Sequence, residues 1–122
     1  MNSQQQPICV IGSVNADISI RVPRFVRPGE TLKGRDFQFS PGGKGANQAV
    51  AAARLGGKVC LLGRIGRDPF GEEISRHLEG CGVNCAGLER DATLSTGSAV
   101  IQVEEGGQNA ICIAAGANGT VT

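Results

Sequence analysis

Two groups of residues have the types and spacing to hold a small polyhydroxylated molecule. Asn15 and Asp17 follow Gly12-Ser13-Val14 and stand two residues apart, hence on one face of an extended segment. A carboxylate accepts hydrogen bonds from two adjacent hydroxyls, and an amide both donates and accepts, which together is what a polyol needs. The second group is the turn Gly42-Gly43-Lys44-Gly45-Ala46-Asn47, ahead of an Ala-rich stretch. Its glycines let backbone N–H groups approach a ligand, and a helix beginning there adds a partial positive charge. It is not a nucleotide P-loop, because the four-residue gap and the Lys-Ser/Thr pair are missing, and the GxGxxG order of a dinucleotide site fails as well. Taken alone, the hexapeptide reads equally well as a glycine-rich helix entry without a ligand.

The elements that would position these groups can be read from the apolar pattern. Ile8 to Ile11 is a continuous apolar run closed by Gly12-Ser13, as expected of a strand buried on both faces. Asp17 to Arg21 alternates with period two, and so does the end of Glu30 to Phe39, so the pair reads as a hairpin set apart from the core. From Gly45 the pattern becomes an Ala-rich helix stopped by Gly56-Gly57. Lys58 to Gly63 is another buried strand, which gives a βαβ order. A second helix is predicted from Asp68, as N-cap, and Pro69 to about Glu79. Thr96 to Val103 and Asn109 to Ala114 flank a Glu-Gly-rich turn and read as a second hairpin.

Composition narrows the function. With 122 residues there is room for one small domain. Residues 1–7 are polar and lack the basic and apolar regions of a signal peptide, so they read as a loose tail, with residues 8–122 as the folded unit. No apolar run is long enough to span a bilayer, which argues against a membrane partner and for a cytoplasmic location. Net charge is +1 with the signs interspersed, and Trp and Tyr are absent, so no nucleic acid partner is expected. Five cysteines without a CxxC spacing suit neither a disulfide framework nor a zinc site, and most are read as small buried hydrophobes. His77, the lone histidine, falls near the end of the second helix, where a basic side chain suits the helix dipole, and is read as structural.

Gly12 to Asp17, Pro28-Gly29-Glu30-Thr31, Gly42 to Arg54, Gly66 to Glu72, Ser95-Thr96-Gly97 and Ala115-Gly116-Ala117-Asn118 together resemble the phosphofructokinase-B, or ribokinase-like, family of sugar kinases. The resemblance covers nearly the whole chain from Ile8 onward. It implies an α/β, Rossmann-like domain capped by a β-sheet lid, here in part only, with lid strands from about 17–40 and 96–114. It further implies transfer of a phosphoryl group from ATP, with magnesium, to a sugar hydroxymethyl group. Carried over by position, Asn15 and Asp17 would hold sugar hydroxyls, and Gly42, Gly43, Lys44 and Asn47 would complete the polar grip. Ala99, Ile101 and Ile113 would present apolar surface to the sugar ring. Within the family the Gly-Gly-Lys-Gly-Ala-Asn turn with Asn15 and Asp17 favours ribose over adenosine, fructose or pseudouridine.

The family's downstream Gly-Ala-Gly-Asp motif, which supplies the catalytic base and anion hole, has no counterpart here. The acidic residue that orients magnesium and the adenine-binding segment are missing too. The expectation is an N-terminal half without catalytic residues, inactive by itself and carrying neither ATP nor metal. The alternative is a self-associating half-domain that acts as a sugar-binding or structural module. In either case the half-apolar lid strands predict a homodimer.

Overall fold

A computed structural model describes residues 6–120 of the chain. Most of the expected tail, residues 1–5, therefore lies outside the described residues. In chain order the elements are β1 (Ile8–Ile11), β2 (Asn15–Val22), β3 (Arg35–Gly42), α1 (Lys44–Arg54), β4 (Val59–Gly66), α2 (Pro69–Gly80), β5 (Val83–Asn84), β6 (Leu88–Asp91), β7 (Gly97–Glu104) and β8 (Asn109–Ala114). A 3-10 turn over Gly116–Thr120 follows.

They form two sheets. In the core sheet β1 runs parallel to β4, and β4 pairs along its other edge first with β5 and then with β6. The inward side chains of β4, Val59, Leu61 and Ile65, meet Ala46 and Ala49 of α1 and Ile74 and Leu78 of α2. Burying each of the larger aliphatic side chains contributes about 1.5–3 kcal/mol. The small side chains on the inner face of α1 let that helix lie close to the sheet. In α2 the Asp68 carboxylate caps the first turn by accepting from the Gly71 N–H, and Pro69 occupies the first position, as the sequence predicts.

The second sheet has the order β3-β2-β7-β8. Both expected hairpins are present, but they are not separate units, because β2 pairs in parallel with β7 over its full length. A bulge sets Asp36 and Phe37 of β3 opposite Ile20, with Asp36 at φ 57°. This sheet grows directly out of the core, since Val14 and Ala16 are buried there and β2 continues outward from them. Phe39 of β3 stacks on Phe70 of α2, with centroids 5.3 Å apart.

Three expectations need correction. β1 is not buried on both faces: Ile8, at the start of the strand, is 44% exposed, and Ile11, on the side of the core sheet away from α1 and α2, is 68% exposed. None of the five cysteines is fully buried: Cys9 and Cys112 are exposed, and Cys60, Cys81 and Cys85 are half-buried. β5 and β6 were not foreseen, being too short to show a period of their own.

Candidate functional site

The register of the second sheet aligns the residues expected to face a sugar in rows. Asn15 lies between Gly42 of β3 and Gly97 of β7. Asp17 lies between Ser40 and Ala99, and Ala99 pairs onward with Ile113. Ser19 lies between Gln38 and Ile101, which pairs with Ile111. Residues aligned across a sheet share a face, so Asn15, Asp17, Gly42, Ala99, Ile101 and Ile113 occupy one surface, polar along β2 and apolar toward β8. On it Ala99 is buried, Ile101 is half-buried and Ile113 is 72% exposed.

Glycines make the room. A Cβ on Gly42 would collide with the Asp17 carboxylate, and one on Gly97 would collide with the Asn118 amide and lie 2.9 Å from Asn15 Oδ1. The strands on both sides of Asn15 thus carry no Cβ beside it, and the room is taken by the Asp17 carboxylate and the Asn118 amide. Gly43 then turns the chain into α1 at φ 95°, a conformation closed to other residues, with the Ala46 N–H donating to the Ser13 carbonyl at 3.1 Å.

Asp17 is half-buried, and among the described residues its carboxylate accepts no hydrogen bond and forms no ion pair. Burial alone pushes its pKa above the ordinary carboxylate value. A carboxylate stripped of part of its water without a protein donor is an acceptor waiting for hydroxyl donors. The same charge, set against Gly42 at the entrance to α1, disfavours a phosphate there and suits a neutral polyol.

Asn118, in the 3-10 turn, is the residue that sequence reasoning passed over. Its Oδ1 accepts from the Val14 N–H at 3.0 Å, and its Nδ2 donates to the Val14 carbonyl at 3.0 Å and to Asn15 Oδ1 at 2.7 Å. With Oδ1 engaged, Asn15 is left with its own NH2 group as a donor. The signal is present in Ala115-Gly116-Ala117-Asn118, a segment that carries the family resemblance but shows no role by sequence alone. A second junction joins the two sheets: Asp68 accepts from the Thr96 N–H at 2.8 Å and from Thr96 Oγ1 at 2.6 Å, while Thr96 Oγ1 accepts from the Gly66 N–H at 2.9 Å.

Lys44 and Asn47 occupy the first turn of α1, and both side chains are exposed. Asn47 lines a groove of about 290 Å³ together with Pro41, Val50, Arg54 and His77. His77 lies in the last turn of α2, with Nε2 3.7 Å from Cys81 Sγ. Among the described residues no three His, Cys, Asp or Glu side chains gather to hold a metal ion, and no helix is long and apolar enough to cross a membrane.

The family model of pfkB family carbohydrate kinases matches residues 5–122. Ribokinase of Haemophilus influenzae is 45% identical over 114 residues, covering 93% of this chain and 37% of that protein. Ribokinase of Bacillus subtilis is 44% identical over 115 residues, covering 94% of this chain and 39% of that protein. The structure of Arabidopsis thaliana ribokinase complexed with ribose and ATP superimposes with a TM-score of 0.89 at 39% identity, covering 94% of this chain and 38% of that one. The chain thus spans well under half the length of the relatives it matches.

Proposed function

The chain belongs to the pfkB family of carbohydrate kinases, and on that footing we propose that it forms the sugar-binding, lid-bearing part of a cytoplasmic ribose kinase. The observation that carries this reading is Asp17, a half-buried carboxylate without a protein donor, in one row with Ala99 and Ile113 and next to an Asn15 amide oriented by Asn118. Asn15 Nδ2 would donate to one sugar oxygen, and Asp17 would accept from two neighbouring hydroxyls. Backbone groups at Gly42 and Gly43, with Lys44 and Asn47, would close the polar side. Ala99, Ile101 and Ile113 would cover the apolar edge of the ring.

In such a reaction ATP supplies the phosphoryl group and magnesium screens its charge. The described residues fit neither: no metal-holding cluster is present among them, and the Gly-rich entry to α1 has the Asp17 charge beside it. On this reading these 122 residues bind sugar but transfer no phosphoryl group alone. Two copies would pair through the second sheet, where Ile111 is 50% and Ile113 72% exposed.

Backbone NMR titration of the isotopically labelled protein with ribose, fructose or adenosine tests the assignment. Ribose is expected to shift the amides of Asn15, Asp17, Gly42 and Gly43. Shifts there with adenosine or fructose alone would move the chain to another branch of the family. A set of shifts elsewhere would remove the site.

A further inference from the structure

The side of the core sheet turned away from α1 and α2 carries a pair of thiols that sugar binding does not use. Cys9 of β1 and Cys60 of β4 are register partners on parallel strands, and their sulfurs lie 3.0 Å apart. Neighbouring strands run about 4.8 Å apart, within the roughly 4.4–6.8 Å between Cα atoms that a disulfide bridges. Cys9 is exposed and Cys60 half-buried. A groove of about 350 Å³ leads to Cys60 between Pro7, Lys58, Gly82 and Asn84, and the exposed Lys58 ammonium at its rim suits an anionic reagent. The remaining thiols have other surroundings: Cys81 lies against His77, Cys85 against the Val83 carbonyl, and Cys112 is on the open second sheet.

We propose that Cys9 and Cys60 are a redox-sensitive dithiol that closes into a disulfide by exchange with a small anionic disulfide of the oxidised-glutathione class. Cys9, the more accessible thiol, loses its proton to water and its sulfur attacks one sulfur of the reagent. A mixed disulfide forms on Cys9, and one glutathione leaves as a thiolate. Cys60, deprotonated in turn, attacks the Cys9 sulfur and releases the second glutathione. The protein gives up two protons and two electrons, and the reagent takes them up as two reduced glutathione molecules. The hydrogen bond to Cys60 holds the Cys9 thiol above its ordinary value, which makes the pair a slow responder and not an exchange catalyst. The closed ring contains β2, β3 and α1, so one bond restrains the whole segment from Asn15 to Asn47.

The test is peptide mapping by mass spectrometry of the native protein after incubation with oxidised glutathione and alkylation of the remaining thiols. The expected product is a Cys9–Cys60 linked peptide with Cys81, Cys85 and Cys112 alkylated, an upward shift of Tm, and reversal of both by dithiothreitol. In Cys60→Ser the glutathione adduct should persist on Cys9, because nothing resolves it. The proposal is overturned if the parent keeps glutathione on Cys9, if both thiols remain alkylatable, or if either one links to a different cysteine or a second chain. The map of the parent decides even where the variant does not fold.

Discussion

Replacing Asp17 by Asn is expected to weaken sugar binding and to strengthen the fold. The carboxylate is half-buried and has no donor among the described residues, so its charge is destabilising until a ligand arrives. Its pKa is raised by burial, so the folded state holds the proton more tightly than the unfolded chain does. The favourable contribution is therefore present below the ordinary carboxylate value and is lost as pH rises through the raised folded value. At neutral pH the Asn variant should accordingly melt above the parent, and the difference should vanish in acid. Binding moves the other way. A hydrogen bond to a charged acceptor contributes about 1 kcal/mol more than one to a neutral acceptor, so two sugar hydroxyls lose about 2 kcal/mol, close to a 30-fold rise in Kd. Thermal melts across pH and a ribose titration followed by NMR measure the two effects separately. An unchanged Kd would refute the placement of Asp17 in the site, and a lower Tm at neutral pH would refute the unpaired-charge argument.

Asp68→Ala removes the cap on Gly71 and both bonds to Thr96, and should cost about 3 kcal/mol in urea unfolding. Although burial pushes the Asp68 carboxyl up, the Thr96 and Gly71 hydrogen bonds outweigh it and hold the group below its ordinary value, so the gap between parent and variant should close as pH falls through that depressed value. Asn118→Ala should lower ribose affinity and shift the side-chain amide signals of Asn15, a readout that loss of stability alone would leave in place. Light scattering at micromolar concentration should find a dimer that Ile113→Asp converts to monomer; a compact monomeric parent would sink the pairing. With ATP, magnesium and ribose, the pure 122-residue chain should form no sugar phosphate, and clear turnover would mean that a carboxylate among these residues acts as base.

Elements with a strong local signal were legible. The Asp-Pro start of α2, the Ala-rich α1 with its Gly56 stop, and the alternation in β2 and β7 depend on residues close in sequence. The second sheet was legible only as two hairpins, because the parallel pairing of β2 with β7 joins distant segments and leaves no local trace. The exposure of Ile8 and Ile11 was likewise invisible, since an apolar run does not say whether anything covers it. Cys9 and Cys60 could not be matched by spacing, because their approach is set by strand register alone.

The candidate site depends on that same register. Period-two alternation assigns Asn15 and Asp17 to one face, but only the pairing puts glycines on both sides of Asn15 and Ala99 beside Asp17. A slip of one residue between β2 and β7 would set Ser98 in place of Gly97 beside Asn15, and its Cβ would meet the Asn118 amide. Val14 and Ala16 resist such a slip because both are fully buried in the core, and Asn118 resists it by holding both backbone groups of Val14. The core of the fold therefore fixes where the polar row begins, through apolar packing at the residues just before and between Asn15 and Asp17.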